Sequence, residues 1–580
     1  MYDTIYKINS SQGTPVVRTD AAAIWSTTKT WWLIPPVANV HFQGRLQDGV
    51  QGKDIIVALC ALFGNDEVLN HAIEFTGSEE TMRSLSIDDR LTIANMTTEW
   101  GALSGLFPID GLLQSWLRAK ATEYALYKSS AASRFNHQRL DKLFANPMSA
   151  DKDAKYAKHL TLNLDTVPNF VSGPNSVKIA TPLAELQAQN IPIQRAYLVS
   201  CTNSRRSDIR AAANVIRDKA ATNAGVIPRI ADHVKFYIAA ASLQEQRAAE
   251  EQGDWQVLLD AGAEALVSGC GPCIGLGRGL LEPGMTGISA SNRNFKGRMG
   301  SPDANAFLAS PAVVTASALA GRITGPGWYS QPADWAGVEY SKGEPFSEKS
   351  VDETLGALIS KLDSIIDAGP AGQVEEADSD KKEQLTEILP GFPEKISGQI
   401  TFCSSDNINT DAVYPGKYTY QDDVSLEKMA EVCMSNYDPA FNSTAKSGDI
   451  LVTGFGFGCG SSREQAATSI LAKGINLIVS GSFSATYSRN SINNALMLLE
   501  VPRLVTRLRE VFGAPEDSKE QVLTRRTGWK LEWDVRRSKV NVTEADGTTW
   551  SESVGELPPN VQEVIAAGGL EKWVKSEIEN

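Results

Sequence analysis

Three cysteines constrain this sequence more than any other feature. Cys201 follows an apolar run, Ala196 to Ser200, within Val-Ser-Cys-Thr-Asn-Ser, and well downstream comes Ser268-Gly-Cys270-Gly-Pro-Cys273-Ile-Gly. A close pair and one remote cysteine offer three thiolates. On an iron–sulfur cubane, three thiolates leave one iron without a protein ligand, able to act as a Lewis acid on a hydroxyl or carboxylate; a fourth would suit electron transfer. Gly269, Gly271 and Pro272 suit a tight loop that lets backbone N–H groups approach cluster sulfides. Spacing alone leaves a zinc half-site or a redox pair open for Cys270 and Cys273. Zinc is disfavoured because no second C-x-x-C and no paired histidines complete a tetrahedral set.

The 580 residues exceed one hydrophobic core, so three or four domains of roughly 150 residues are expected. No apolar run approaches the ~18 residues that cross a bilayer, and the longest candidate, Ile55 to Phe63, reads as core. The formal charge of −14 argues against a broad nucleic-acid surface, so an anionic substrate needs a local arginine cluster. Seven cysteines thinly spread suit reduced thiols inside a cell. The start, Met1-Tyr-Asp-Thr-Ile-Tyr-Lys, reads as neither a signal nor a transit peptide. A soluble monomer of the cytoplasm or mitochondrion, with no membrane and no nucleic-acid partner, is the expectation.

Alternating strand-like and helical segments from about Thr14 to Asp367 predict α/β domains with function at the strand ends; Ile209 to Ala221 reads as an amphipathic helix. Residues 369–395 turn to Gly, Pro, Glu, Asp and Lys and read as an acidic linker. Expected boundaries are therefore 1–368, linker 369–395, and a second globular unit over 396–580. That unit offers Ile450 to Thr453 and Leu477 to Val479 as strands, with a helix starting at Ser461 between them.

Further motifs carry chemistry. Arg293 and Arg298, in Asn292-Arg-Asn-Phe-Lys-Gly-Arg298, are either surface cations or a pair converging on carboxylates, which guanidinium forks bind bidentately. In Ala94-Asn-Met-Thr-Thr-Glu-Trp, Asn95 and Glu99 would share one helix face. Thr453-Gly-Phe-Gly-Phe-Gly-Cys-Gly-Ser-Ser-Arg-Glu is not a dinucleotide fingerprint, since the glycine spacing fails. Ser461 and Glu464 fit a capping box. Equally, a serine at a helix N-terminus beside Arg463 sits in a positive field that favours an alkoxide, as abstraction of a proton next to a carboxylate requires.

Cys201-Thr-Asn-Ser, Gly269-Cys-Gly-Pro-Cys and Ser291-Asn-Arg-Asn-Phe-Lys-Gly-Arg298 occur in the order and approximate spacing of the aconitase superfamily's cluster motifs, and the chain from 13 to 575 resembles in particular the family's fungal homoaconitases. The resemblance implies aconitase-like three-layer α/β domains around one 4Fe-4S cluster, plus a C-terminal swivelling β/β/α domain. Asp406-Asn-Ile-Asn-Thr-Asp411 and Ser488-Arg-Asn-Ser-Ile-Asn-Asn494 resemble motifs of that swivelling domain. Cys201, Cys270 and Cys273 would hold the cluster. Asn95, Glu99 and Asn292 would support cluster and substrate, while Arg293, Arg298, Ser462 and Arg463 would bind substrate and Ser461 would be the base. Cys60, Cys403, Cys433 and Cys459 read as small packing residues.

The family's Asp-His and Gly-Asp-Ser-His motifs, which precede the counterpart of Gly13-Thr-Pro-Val-Val-Arg-Thr-Asp, do not appear here. His41, His71, His137, His159 and His233 match neither motif and read as structural or surface side chains. The expectation is an incomplete first domain, or a paralogue with altered catalysis. The implied activity is a hydro-lyase that isomerises a 2-substituted malate to its 3-substituted isomer. Its substrate is a small di- or tricarboxylic acid: homocitrate, or an aryl- or alkyl-substituted malate of specialised metabolism. A catalytically impaired or regulatory cluster-binding protein is the alternative.

Overall fold

The computed structural model describes residues 12–13, 16–31, 34–64, 67–126, 130–133, 135–151, 153–343, 385–419, 421, 423–459, 463–513 and 522–579. The chain divides into two compact units, residues 1–14 with 35–355 and residues 15–34 with 356–580. Among the described residues no helix is long and apolar enough to cross a membrane.

The first unit holds two mixed sheets. One has the order Gln12–Gly13, Ser104–Leu106, Ala72–Gly77, Val37–Gln43, Lys158–Asn163, Tyr340–Lys342, parallel through its four central strands and antiparallel at both edges. The other runs Glu264–Ala265, Lys235–Ile238, Arg195–Leu198, Thr286–Ser289, Asn305–Leu308, then antiparallel Phe170–Ser172 and Ala180–Pro182. From Arg195–Leu198 the chain builds outward to Glu264–Ala265, then crosses back to lay Thr286–Ser289 on the opposite side. The sheet therefore has a topological switch point between Arg195–Leu198 and Thr286–Ser289, where two parallel strands send their following loops apart and leave a crevice.

Local sequence explains the helices that flank this crevice. Helix Ile87–Trp100 starts at Ser86, whose hydroxyl accepts from Asp89 N at 3.1 Å while the Asp89 carboxylate accepts from Ser86 N at 3.2 Å, and it ends at Gly101 in the left-handed region. Asn95 and Glu99 lie one turn apart on it, as their spacing predicts. Helix Arg206–Thr222, close to the expected 209–221, buries Ile209, Ala212, Ala213, Ile216 and Ala220 on one face. The apolar run after Lys53 forms helix Gly52–Leu62, whose residues 55–60 are fully buried.

In the second unit, Met497–Glu500, Leu477–Ser480, Ile450–Thr453 and Lys395–Cys403 form the parallel half of a seven-stranded sheet, and Thr524–Asp534, Lys539–Thr543 and Thr549–Ser553 continue it as an antiparallel meander. Both expected strands are present.

Three expectations are corrected. Residues 15–34 gather with the second unit rather than with the first. Asp20, on helix Arg18–Thr27, is fully buried there as the ion-pair partner of Arg489, and Ala23 packs with Val564, Leu570 and Val574. The linker reading covers too much chain: 369–384 lie outside the described residues, but Phe392 is buried in the second unit's core and Leu389 N donates to Gln562 Oε1 at 3.0 Å. Finally, the helix between the two strands is Gln465–Ala472, with Glu464 at its N-cap. Ser461 of the expected capping box lies outside the described residues, and the Glu464 carboxylate accepts from Arg18, Thr19 and Asn494.

Candidate active site

The switch point assembles most of the residues singled out in the first unit. Cys201 comes three residues after the strand Arg195–Leu198, and Asn292 three residues after the neighbouring strand Thr286–Ser289. Ser200, just before Cys201, has φ 108°, a conformation costly for a residue with a Cβ and often tolerated where a loop must aim a functional group. Cys270 caps a short 3-10 turn, Gly271–Ile274, that contains Cys273. Gly275 follows at φ 74°, and a Cβ there would come within 2.8 Å of Arg298 O. Only glycine lets these two loops meet so closely.

Polar contacts fix the surroundings. Asn95 Nδ2 donates to Thr202 Oγ1 at 2.8 Å, so the helix bearing Asn95 is tied to the Cys201 loop. Glu99 Oε1 accepts from Asn292 Nδ2 at 2.9 Å and from Arg293 Nε at 2.5 Å. Its side chain is only 4% exposed, and among the described residues Glu99 Oε2 has no hydrogen-bond partner. Cys273 Sγ lies 3.7 Å from Asn292 Oδ1, and Arg298 Nε donates to Cys273 O at 2.8 Å. Cys201, Cys270, Cys273, Asn95, Glu99, Asn292, Arg293 and Arg298 therefore belong to one connected neighbourhood.

Its electrostatics are set by burial. The Cys270 and Cys273 thiols are pushed up by burial first; Cys201 pushes both further and Cys270 adds to Cys273, while the Arg298 guanidinium pulls both down. Ionising the Cys270 and Cys273 thiols together is unfavourable without a cationic partner, and a polynuclear iron core would supply one. Among the described residues no group of three or more His, Cys, Asp or Glu is close enough to hold a metal ion. A cubane asks less of proximity, since each thiolate binds a different iron. The donor set, the open oxygen of Glu99 and the thiol electrostatics fit a three-thiolate cluster.

The expected residues of the second unit are placed unevenly. Ser461 and Ser462 lie outside the described residues. Arg463 forms an ion pair with Asp411 and lies beside Tyr414 O and Gly416, so it is held by the Asp406–Asp411 motif and the Tyr414–Tyr418 loop. Cys459 donates to Asn407 O at 3.2 Å, while Cys60, Cys403 and Cys433 are buried. The histidines have local partners: Thr76 for His41, Leu69 O for His71, Thr122 for His137, the Tyr156 ring for His159 and Gly321 O for His233.

Sequence reasoning missed Lys53. It is fully buried on the first turn of Gly52–Leu62, and its ammonium donates to Ser291 O at 2.7 Å and Met96 Sδ at 3.3 Å. Burial pushes it down to about 8, against the opposing pull of Glu99, Asp208, Cys273 and Asp54. The available signal was a lysine leading directly into the apolar run Ile55 to Phe63, on a helix with no solvent-facing side near its start.

Known proteins match over both units. The model of the aconitase family (aconitate hydratase) matches residues 10–321, and that of the aconitase C-terminal domain matches 371–504. The mitochondrial homoaconitase of Neurospora crassa is 65% identical over 581 residues, covering 98% of this chain and 73% of the relative. The chain belongs to the aconitase family. The mitochondrial homoaconitase of Emericella nidulans is 64% identical over 579 residues, 98% of this chain and 74% of that one. The chain thus spans about three quarters of the length of these relatives. A solved 3-isopropylmalate dehydratase from Methanocaldococcus jannaschii is 28% identical over 32% of the chain and 95% of its own, with a TM-score of 0.25, too low to argue from. As an aconitase-family member this close to homoaconitases, the protein is a hydro-lyase acting on a small carboxylic acid, with the α/β fold of that family.

Proposed function

We propose that this aconitase-family hydro-lyase isomerises homocitrate to homoisocitrate by dehydration and rehydration, in the compartment for which its relatives are named, with one 4Fe-4S cluster per chain on Cys201, Cys270 and Cys273. The observation that carries the cluster assignment is the connection of Cys201, Cys273, Asn292, Arg293 and Glu99 at one switch point. The relatives' names supply the substrate.

A cluster held by three thiolates supplies a Lewis acid for the hydroxyl of a bound hydroxy acid. The chain's own groups do the rest. Arg298, one guanidinium edge anchored on Cys273 O, turns its remaining N–H groups toward a substrate carboxylate. Arg293 is held charged by Glu99, which keeps a permanent cation beside the cysteines. Glu99 Oε2 remains available to accept a hydrogen bond from a substrate hydroxyl or from water. Ser461 removes the proton next to a carboxylate, with Ser462 and Arg463 binding that end of the substrate. Asp411 holds Arg463 ready for this.

The test is anaerobic reconstitution with iron and sulfide, then ultraviolet absorbance of the unsaturated acid formed from homocitrate, citrate and aryl- and alkyl-substituted malates. Turnover of homocitrate ahead of the others is expected. Cluster assembly without turnover of any of them would mark a non-catalytic cluster protein instead.

A further inference from the structure

Lys53 is unusual in three ways at once. It is fully buried; it stands in the first turn of helix Gly52–Leu62, where the helix dipole disfavours a cation; and both of its hydrogen-bond acceptors, Ser291 O and Met96 Sδ, are neutral. The carboxylates nearest to it are engaged elsewhere. Asp54 accepts from Gln51 N, Phe170 N and Asn169, and Asp208 accepts from Arg205 N and Asn203. Glu99 is engaged by Asn292 and Arg293. An ammonium buried with no ion pair among the described residues costs stability.

Its position relates it to the site. Ser291 directly precedes Asn292 and Arg293, and Met96 directly follows Asn95 on the helix that carries Glu99. Lys53 thus joins, from beneath, the two segments whose side chains meet at Glu99. It adds a cation beside Arg293 and Arg298, opposite the acidic groups Glu99, Asp208, Cys273 and Asp54.

We propose that Lys53 is a positioning residue that fixes the Asn95–Glu99 helix against the Asn292–Arg293 segment and, behind the site, holds a positive charge with neutral hydrogen-bond acceptors that selects highly anionic substrates. The charge is neutralised when a multiply anionic ligand binds above it, which offsets its cost in the ligand-bound state. The proposal rests on the site assignment above.

The test uses the full chain, reconstituted with iron and sulfide, and measures binding of propane-1,2,3-tricarboxylate, a trianion, and glutarate, a dianion. Because Coulomb energy scales with ligand charge, Lys53→Gln should weaken the trianion on the order of tenfold and the dianion by about fivefold, which lowers the trianion-to-dianion affinity ratio. Lys53→Gln keeps a donor for Ser291 O, so geometry alone predicts no such ratio change. Lys53→Arg, which keeps the charge, should retain the wild-type ratio. Equal loss of both probes in Lys53→Gln, or no loss, overturns the proposal. So does a folded Lys53→Arg whose ratio collapses, and this second variant decides the matter if Lys53→Gln does not fold. Wild-type protein that binds neither probe overturns the site assignment as well, whereas normal wild-type binding with unaffected variants overturns only the role of Lys53.

Discussion

Arg293 donates its Nε to Glu99 Oε1 at 2.5 Å, where the Glu99 side chain is 4% exposed and its second oxygen has no hydrogen-bond partner among the described residues. Breaking a buried pair from one side leaves a charge without compensation, at a cost of about 3–5 kcal/mol. Glu99→Gln is therefore expected to lower the first unit's resistance to urea by about that much and to abolish turnover, because the Gln oxygen can still accept from Asn292 and Arg293 but the guanidinium loses its counter-charge and an NH2 donor replaces the open Oε2. A urea midpoint within experimental error of wild type would contradict the burial of this pair.

Gly275 allows the cysteine loop to approach Arg298. Gly275→Ala places a Cβ against Arg298 O at a left-handed φ, so it combines crowding with backbone strain of about 1–3 kcal/mol. Gly225→Ala, at φ 81° with nothing within 4 Å of its built Cβ, incurs the strain alone. Thermal melting should show the larger loss for Gly275→Ala, and only that variant should weaken carboxylate binding through the displaced Arg298.

Stability of the first unit should depend on pH through Asp208 and Asp54, both pushed up to about 7 by burial. In the unfolded chain these groups lose their protons near 4, so between about 4 and 7 the folded state binds protons that the unfolded state has released. Their contribution to stability is fully present below about 4, is lost as pH rises through about 7, and is flat above. Asp208→Asn, a permanently neutral side chain, is expected to gain on wild type across that window when urea midpoints are compared at pH 4.5, 6 and 7.5. A difference independent of pH would contradict the shift of Asp208.

In the second unit, Asp20 is fully buried and bonded to both Arg489 and Asn493. Arg489 also donates to Trp31 O at 2.9 Å, with its guanidinium 4.4 Å from the Trp31 ring centroid. Arg489→Met leaves Asp20 buried without its cation and should cost about 3–5 kcal/mol, much of which Asp20→Leu in the same chain should restore. Trypsin cleavage after Lys29 follows release of the helix Arg18–Thr27 and the residues just after it, so it should accelerate in the single variant and slow again in the double.

Short, fixed patterns singled out the three cysteines, the shared face of Asn95 and Glu99, and the Asn292–Arg298 run, and the fold gathers these residues in one neighbourhood. The strand Ile450–Thr453 and, as Leu477 to Val479, the strand Leu477–Ser480 were legible too, because runs of three apolar residues beside glycine loops have few other uses. Less visible was anything fixed by distant polar pairing. Asp20 meets Arg489 across 469 residues, and no local pattern marks an aspartate as buried. The same region gives Glu464 the distant donors Arg18 and Thr19, which no local pattern announces. Lys53 escaped notice because a lysine at a helix start is ordinarily solvated, and only the switch-point packing shows that it is enclosed.

The central claim is that Cys201, Cys270 and Cys273 together hold one 4Fe-4S cluster. Iron and acid-labile sulfide per chain, measured after anaerobic reconstitution of wild type and Cys270→Ser, tests it most directly. The account predicts about four of each in wild type, with loss of both and of the cluster's visible absorption in Cys270→Ser, while Cys60→Ser stays at the wild-type value. Equal iron and sulfide in wild type and Cys270→Ser would contradict it.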